Sequence, residues 1–290
     1  MTVGVLWALV AAIGFAGLQV SNRKSNQLVD AYRTAFGLLL AVEILLLARA
    51  AISGELGILF SAPPVAVALF SVSAFFHFIG GWTLLALSQQ RIGVARTGAL
   101  VSAAPLVGTV LAALILDEPL TWAILIGVLL AAAGVALISL SGGTSGGTDW
   151  RRPWLALTVA LIWGVSPMLI RLGLERFDHP VLGLTIGLGL SVSVYGLMLG
   201  GSGVLRKKLS GRAVRWMMVG GLAGAIAVSA QWISFDLTTI AIAITVQQLS
   251  APLVIGLVPF LFHEPFERMN LRFFVGTAAM LAGSALVVLM

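Results

Sequence analysis

Long apolar runs alternate with short polar segments along this chain, and ten of the runs are long enough to cross a membrane. A bilayer-spanning helix needs about 20 predominantly apolar residues. The predicted spans, numbered 1 to 10 in chain order, are residues 3–20, 32–49, 65–87, 92–115, 121–140, 154–172, 180–200, 214–237, 241–262 and 271–290. Each run is continuous and does not alternate as the strands of a transmembrane barrel do. The pattern predicts an all-α membrane protein.

The first apolar run is expected to be a retained span. A signal peptide begins with a basic region and ends at a small-residue cleavage site. No basic residue precedes this run, whereas Arg23 and Lys24 follow it.

Composition agrees with this pattern, because 59% of the residues are hydrophobic and only 10% are charged. The excess of 17 Lys and Arg over 11 Asp and Glu does not indicate nucleic-acid binding, since the cations lie in short gaps between apolar runs. The chain has no cysteine, and His77, His179 and His263 do not form a metal-ligand pattern. We therefore expect a lipid bilayer as the environment, with no nucleic acid, metal or cofactor.

The basic residues are distributed unequally between the two sides of the predicted membrane. The side that holds the loops after spans 1, 3, 5, 7 and 9, together with the adjoining helix ends, carries 14 of the 17 cations, and Arg49, Arg171 and Arg176 on the other side are the rest. Cytoplasmic loops carry the excess of Lys and Arg in membrane proteins. We expect both termini to lie outside, in the periplasm, and the chain to cross the bacterial inner membrane.

Two halves of the chain carry the same features in the same order. Ala-Pro-Leu-Val occurs at 104–107 and again at 251–254, and each copy is followed by a Glu-Pro pair. The other matches are Gly14 with Gly164, Trp82 with Trp232, Gly127 with Gly276, and Gly134 with Gly283. We predict a first repeat at 1–140, a cytoplasmic linker at 141–153 and a second repeat at 154–290. Because five spans is an odd number, the second repeat is expected to be inverted, as in many secondary transporters.

Several segments resemble the paired EamA domains of the drug/metabolite transporter superfamily. They include "YRTAFGLLLA", "SAAPLVGTVLAALILDEPL", "WGVSPMLIRLGL" and "QQLSAPLVIGLVPFLFHEPF". Within that superfamily the chain is most similar to YddG-type exporters of aromatic and other neutral amino acids. The resemblance implies a ten-helix bundle with a central cavity between the halves and with spans 5 and 10 at the periphery.

Small residues recur four apart on the two peripheral spans, at Gly127 and Ala131 and at Ala279 and Gly283. Such pairs let helices approach closely. They are expected either to pack within the bundle or to form a weak homodimer through spans 5 and 10.

Polar side chains at mid-depth are the candidate substrate site. Glu43 and His77 each lie about eleven residues, or about 16 Å, from the cytoplasmic end of their spans. Ionisable groups at that depth usually face a cavity or a partner. The pair is therefore either a structural contact or a site for a proton or a substrate ammonium group. The other candidates are Trp163, Ser166, Ser102, Gln247, Gln248 and Ser250.

Prolines and glycines mark the positions where helices are expected to bend or move. The candidate hinges are Pro105, Pro167, Pro252, Gly14, Gly17 and Gly164, and a packed kink is the alternative for each proline. The pairs Glu118-Pro119 and Glu264-Pro265 are predicted to begin spans 5 and 10. Proline suits the first helical position and an acid suits the positive end of the helix dipole.

These observations predict a secondary transporter that exports neutral amino acids, including aromatic and other large apolar ones, by alternating access. Transport is either uniport or proton antiport, with His77 and Glu43 as the titrating groups. The alternative is an exporter of lipophilic cations, drugs or other small metabolites, with Glu43 as the counter-charge. An enzyme is not expected because neither a His-Glu-x-x-His motif nor a cysteine nucleophile is present.

Overall fold

The computed structural model describes residues 2–92, 94–141, 153–201, 203, 208–262 and 270–289. Within these ranges the secondary structure is helical, and ten helices are long and apolar enough to cross a membrane. The predicted all-α class and the ten spans are confirmed. Residues 142–152 of the predicted linker, together with Glu264 and Pro265, lie outside the described residues.

The observed helices keep the span numbers of the sequence. Spans 1 to 5 are Thr2–Asn26, Ala31–Ile52, the combined segment Pro64–Ile92, the pair Val94–Val101 and Ala104–Ile115, and Trp122–Ser141. Spans 6 to 10 are Trp154–Leu174, Pro180–Gly201, Gly211–Leu237, the pair Ile240–Gln247 and Ser250–Phe262, and Leu271–Leu289. A four-residue helix, Leu56–Leu59, connects spans 2 and 3.

Polar loop residues fix where several spans begin. The Asp30 carboxylate accepts a hydrogen bond from the Arg33 amide at 3.1 Å, and the Ser210 hydroxyl accepts one from the Ala213 amide at 3.2 Å. The first amides of a helix have no partner within the helix, so such caps stabilise its start. Spans 2 and 8 therefore begin where the short polar segments of the sequence end.

Spans 4 and 9 are each interrupted once. Span 4 stops at Val101 and resumes at Ala104, and span 9 stops at Gln247 and resumes at Ser250. The repeated Ala-Pro-Leu-Val segments lie in the first turns of the resumed helices. Proline lacks an amide N–H and is tolerated in a first turn, where that donor would have no helical partner. The sequence repeat therefore marks two helix breaks at equivalent positions, and the role of Pro105 and Pro252 as hinges stays a prediction.

Span 6, in contrast, continues as one helix through Pro167. Whether Pro167 acts as a hinge or as a packed kink stays a prediction. Residues around Pro167 keep the helix because both neighbouring turns are buried against spans 3 and 4.

The three candidate hinge glycines lie where helices approach closely. A Cβ on Gly14 would lie 2.8 Å from the Cβ of Ala227, and one on Gly164 would lie 2.6 Å from the Cβ of Val107. Gly17 faces Ala223 in the same way, at 3.2 Å. Span 1 is helical through both of its glycines. These glycines allow close packing here, and their role as bending points stays a prediction.

The packing of the spans has a regular order. Span 1 packs on span 8 and span 6 packs on span 3, while span 4 packs on span 6 and span 9 packs on span 1. Span 2 packs on span 8 and span 7 packs on span 3. These six pairings form three equivalent sets, because replacing each span by its counterpart in the other half turns one member of a set into the other.

Spans 5 and 10 pack on each other through their small residues. A Cβ on Gly127 would lie 2.8 Å from the carbonyl oxygen of Gly283, and one on Gly134 would lie 2.8 Å from the amide nitrogen of Met280. The predicted small-residue faces are therefore used within the chain.

The carboxylate of Glu118 binds a helix other than the one predicted. Span 5 begins at Trp122, so Pro119 does not occupy its first helical position. The two Glu118 carboxylate oxygens instead accept hydrogen bonds from the Ile240 amide, at 3.0 and 2.9 Å. The acid does meet the positive end of a helix dipole, but that helix is the first half of span 9.

Arg171 binds the end of span 8, just before the turn that leads to span 9. Its guanidinium donates hydrogen bonds to the carbonyl oxygens of Phe235 and Asp236, in the last turn of span 8. The turn between spans 8 and 9 therefore has a cation at the end of one helix and an acid at the start of the next, and both charges come from elsewhere in the chain.

We expect Gly127→Ala to destabilise the protein, because the added Cβ has no space against span 10. Overpacking of this kind costs about 1–3 kcal/mol. Thermal unfolding in lipid nanodiscs would measure the loss. Gly256→Ala is the matched control, since a Cβ on this helical glycine would meet no described atom within 4 Å. Equal unfolding temperatures for the two variants would contradict the packing of spans 5 and 10.

We expect Glu118→Ala to lower the free energy of unfolding by about 0.5–2 kcal/mol, because the span 9 amide loses its cap. Burial raises the pKa of Glu118 above its ordinary value of 4.5, although the Ile240 amide and Arg171 oppose the increase. The folded chain therefore binds this proton more tightly, and the contribution of Glu118 to stability decreases as the pH rises from 4.5 through the raised pKa.

Glu118→Gln keeps an acceptor oxygen but cannot ionise, so its stability relative to the parent protein should increase with pH over that range. Chemical unfolding at a series of pH values would measure this difference. Glu175, which is exposed, is changed to Gln as the control for loss of a surface carboxylate. An unchanged pH profile for Glu118→Gln would rule out the proposed linkage.

Candidate substrate site

His77 lies in a seven-residue π-helix, Phe75–Gly81, in the middle of span 3. Its imidazole ring stacks on the Trp163 indole of span 6, with ring centroids 5.7 Å apart and an interplanar angle of 27°. The Trp163 indole N–H also donates to the His77 carbonyl oxygen at 3.3 Å. Single-turn π-helical insertions occur frequently at functional sites. The structure therefore brings two of the predicted site residues into direct contact.

Ser166 is joined to Ser73 of span 3 by a reciprocal pair of hydrogen bonds. The Ser73 hydroxyl donates to the Ser166 carbonyl at 3.0 Å, and the Ser166 hydroxyl donates to the Ser73 carbonyl at 3.2 Å. The two hydroxyl oxygens are 2.9 Å apart, and both residues are buried. Ser166 thus joins spans 3 and 6 one helical turn from the aromatic stack.

Gln247, the last residue before the break in span 9, belongs to a closed ring of hydrogen bonds with span 8. The Gln231 amide donates to the Gln247 side-chain oxygen at 2.8 Å, and the Gln247 amide donates to the Ser234 hydroxyl at 3.1 Å. The Ser234 hydroxyl donates to the Gln231 carbonyl at 2.8 Å. All three residues are buried. The ring satisfies polar groups that burial would otherwise penalise.

These three groups meet in the interior of the bundle. Ser73, His77 and Gln231 line one small space, which Trp232 and three apolar side chains complete and which has no room for a water molecule. We call seven residues of this region the polar core: Ser73, His77, Trp163, Ser166, Gln231, Ser234 and Gln247. Within it, the buried His77 Nδ1 has no hydrogen-bond partner among the described residues. In this conformation that nitrogen is therefore buried without a partner, and no ligand can reach it.

Glu43 lies apart from the polar core. Its carboxylate is buried against span 7, where a Cβ on Gly189 would come within 2.9 Å of Oε1. Oε2 has no hydrogen-bond partner among the described residues, and no described ion pair or hydrogen bond joins Glu43 to His77. A direct contact between these two groups is therefore not seen among the described residues, and the role of each as a proton or substrate group stays a prediction. An uncompensated charge at such a position is costly.

The remaining candidates lie at or beside the helix breaks. The Ser102 hydroxyl donates to the Ala99 carbonyl of its own span at 2.7 Å, so it is satisfied locally. Gln248 is half-buried and lies in the turn of span 9, and the buried Ser250 begins the resumed helix. These three residues shape the breaks and are not part of the polar core.

Sequence reasoning missed Ser73, Gln231 and Ser234. A glutamine in an otherwise apolar helix is itself a signal, because an amide in a bilayer needs a partner. For that reason Gln231 could have been identified from the sequence as a candidate. The two serines carry a weaker signal, since serine can bond to its own helix and is common in spans.

The polar core contains hydroxyls, amides, an imidazole and an indole, but no Asp, Glu, Lys or Arg. Such a set can bind neutral hydrogen-bonding groups and offers the Trp163 face to an apolar side chain. Among the described residues, no group of three or more His, Asp or Glu side chains is placed to hold a metal ion.

Ten apolar helices around a polar interior define a multi-pass membrane protein. Residues 2–140 match the EamA-like transporter family, so the first half of the chain carries an EamA-like transporter domain. A protein of known crystal structure is similar over 99% of this chain and 97% of its own, with a TM-score of 0.80 and 16% sequence identity. At this identity the similarity concerns the fold alone. No curated protein matches the sequence.

We expect Gly81→Ala to displace Trp163 from His77, because the added Cβ would overlap the indole and lie 3.1 Å from its Cδ1. The adjacent Gly80→Ala is the matched control, since its Cβ would meet Ile162 and Phe76 at ordinary contact distances of 3.7 and 3.8 Å. Fluorine NMR of protein carrying 5-fluorotryptophan, with the Trp163 signal assigned by Trp163→Phe, would report the change. An identical Trp163 signal in Gly81→Ala would show that this contact does not position the indole.

Proposed function

We propose that the protein is a secondary transporter that exports neutral amino acids, including aromatic and other large apolar ones. The observation that carries the proposal is the pair of helix breaks in spans 4 and 9, at equivalent positions of the two halves and beside the polar core. Discontinuous helices at the bilayer midplane form the substrate sites of many secondary transporters. The EamA-like domain of the first half supports transport of a small molecule.

Alternating access is supported by the exchangeable packing of the spans. Each half has five spans, so the second is expected to be inverted relative to the first. If the two halves exchange conformations, an outward-open protein becomes inward-open at similar energy. The pairings of spans 1 with 8 and 6 with 3 are consistent with this inverted repeat.

The composition of the polar core favours a substrate without net charge. A zwitterionic amino acid needs polar partners at both ends, which amides, hydroxyls, the unpartnered His77 Nδ1 and backbone groups at the breaks would supply in a conformation that opens the polar core. The Trp163 ring is suited to an apolar or aromatic side chain.

Glu43 is better suited to a proton than to the amino acid, because it lies outside the polar core. Its buried and partly unpartnered carboxylate also supports the second candidate, export of a lipophilic cation with Glu43 as the counter-charge.

The membrane and orientation follow from the unequal distribution of Lys and Arg, which supports a bacterial inner-membrane protein with both termini in the periplasm. The glycines of spans 5 and 10 face each other within the chain. We therefore propose a monomer, or a weak homodimer through the exposed outer faces of these spans, on which Leu129 and Leu281 lie.

Reconstituted liposomes would test the substrate class. We expect flux of tryptophan, methionine and threonine, and none of tetraphenylphosphonium. A pH gradient applied in both directions distinguishes proton antiport from uniport. Flux of the cation without any amino acid would replace the main proposal with the second candidate.

Two substitutions separate the roles of the site residues in the same assay. Trp163→Ala should raise the Km for tryptophan about tenfold or more, since burial of an aromatic side chain contributes about 1.5–3 kcal/mol. It should affect threonine less. Glu43→Gln should remove any dependence on the pH gradient and leave the Km unchanged. Trp122→Ala is the control, because this indole is 80% exposed at the start of span 5.

A further inference from the structure

The two halves of span 9 differ in how deeply they are buried. Every residue of the outer half, Ile240–Gln247, is buried except Ile244. In the inner half, Ser250 is the one buried residue among residues 250–257, whose side chains the structure describes. The outer half is the one that faces the periplasm in the orientation expected from the Lys and Arg distribution. The bundle is therefore closed around the outer half of span 9 and looser around the inner half.

Span 4 shows the same difference. Its outer half, Ala104–Ile115, has five buried residues, whereas Thr97 is the one buried residue among residues 96–101 of its inner half. The outer halves of spans 4 and 9 also pack on each other, since a Cβ on Gly108 would lie 2.7 Å from Cδ1 of Ile244. Spans 4 and 9 thus close the outer end of the interior together.

A small apolar cluster fills this outer end. Ala112 of span 4, Met168 of span 6 and Ile240 of span 9 form it, and each is at most 8% exposed. The Glu118 amide donates to the Ala112 carbonyl at 3.3 Å, which folds this acid back over the end of span 4. Its carboxylate then binds the Ile240 amide, so that one residue joins two of the three helices of the cluster.

Arg171 joins the other two helix ends. It lies one turn along span 6 from Met168, and its guanidinium donates to the Phe235 and Asp236 carbonyls at the end of span 8. It also attracts the Glu118 carboxylate electrostatically. The outer ends of spans 4, 6, 8 and 9 are therefore connected by one acid and one cation, and an opening between these ends would break their hydrogen bonds.

The cation has no counterpart in the first half of the chain. The matching Gly14 and Gly164 are 150 residues apart, and by the same count Arg171 corresponds to Ser21. Ser21 is buried and uncharged, and a Cβ on Gly220 of span 8 would lie 2.7 Å from its Cβ. An exact inverted repeat would hold both ends of the protein equally, so a cation at one end alone favours closure of that end.

We infer that Glu118 and Arg171 form an outer clamp, which holds the protein closed toward the periplasm and makes this end harder to open than the inner one. The inference rests on the proposed alternating access, because it names the contacts that the outward-opening step breaks. Two helix caps with a structural role alone would stabilise the whole fold, whereas a clamp acts on the outer end.

Single cysteines provide a test, because the chain has no cysteine of its own. Met168→Cys places a thiol in the cluster beneath the clamp, and Met280→Cys places one in the equally buried contact between spans 5 and 10. Glu175→Cys, at an exposed position, gives the rate for an accessible thiol. Each variant is labelled with the uncharged reagent N-ethylmaleimide in lipid nanodiscs, with Arg171 intact and with Arg171→Gln.

Arg171→Gln should speed labelling of Met168→Cys about tenfold or more, because the outer end loses hydrogen bonds from a charged group. Labelling of Met280→Cys should not change. Arg171→Lys keeps the charge but not the planar fork of donors, and its effect should be intermediate. Arg176→Gln is the matched control and should have no effect, since this neighbouring cation donates to the Leu172 carbonyl of its own helix at 2.6 Å.

Three results would overturn the clamp: labelling of Met168→Cys as fast as Glu175→Cys while Arg171 is intact, no acceleration by Arg171→Gln, or equal acceleration at Met280→Cys. Labelling requires opening but no substrate. Acceleration in a protein without amino-acid flux therefore supports the clamp and removes the proposed substrate class, whereas flux without acceleration removes the clamp alone.

Discussion

A helix that stops within a bilayer leaves amides and carbonyls that no water can satisfy. The interruptions of spans 4 and 9 meet this constraint largely within the spans themselves, because their amides turn to carbonyls three residues back: Ala103 to Leu100 and Gln248 to Thr245, each at 3.2 Å. The breaks are enclosed by spans 6 and 1, and a Cβ on Gly164 of span 6 would lie 3.0 Å from the Ala104 carbonyl oxygen beside the break in span 4. Buried glutamines and serines collect beside them and satisfy one another. Interior polarity and irregular backbone therefore occur together.

Apolar run length was enough to predict ten spans, and paired motifs were enough to locate equivalent positions in the two halves. The neighbour that each side chain faces could not be predicted, because the depth of a residue along a helix does not determine how the helix is rotated. Glu43 and His77 have similar predicted depth, yet Glu43 faces Gly189 and His77 faces Trp163. Glu118 illustrates the same limit, since a loop acid caps whichever helix start lies nearest in space, here Ile240, which is 122 residues away.

The protein keeps its polar groups in two separate environments. The polar core is neutral and almost fully hydrogen-bonded, whereas the Glu43 carboxylate is alone between spans 2 and 7. A neutral interior suits a ligand whose charges cancel, and a solitary acid suits a proton that must be released. Separation of the two would let substrate and proton bind without competing for one residue, provided that both spans move together.

The first half of span 9 is an eight-residue helix, about 12 Å long at 1.5 Å per residue. Glu118 holds its start and Gln231 holds its last residue. If the Glu118 end stays fixed, a tilt of this helix moves its other end the most. A rotation of about 10° about the Glu118 end would displace Gln247 by about 2 Å, which is enough to break a hydrogen bond. A small tilt of the first half of span 9 would thus be enough to break the hydrogen bonds that join Gln247 to span 8.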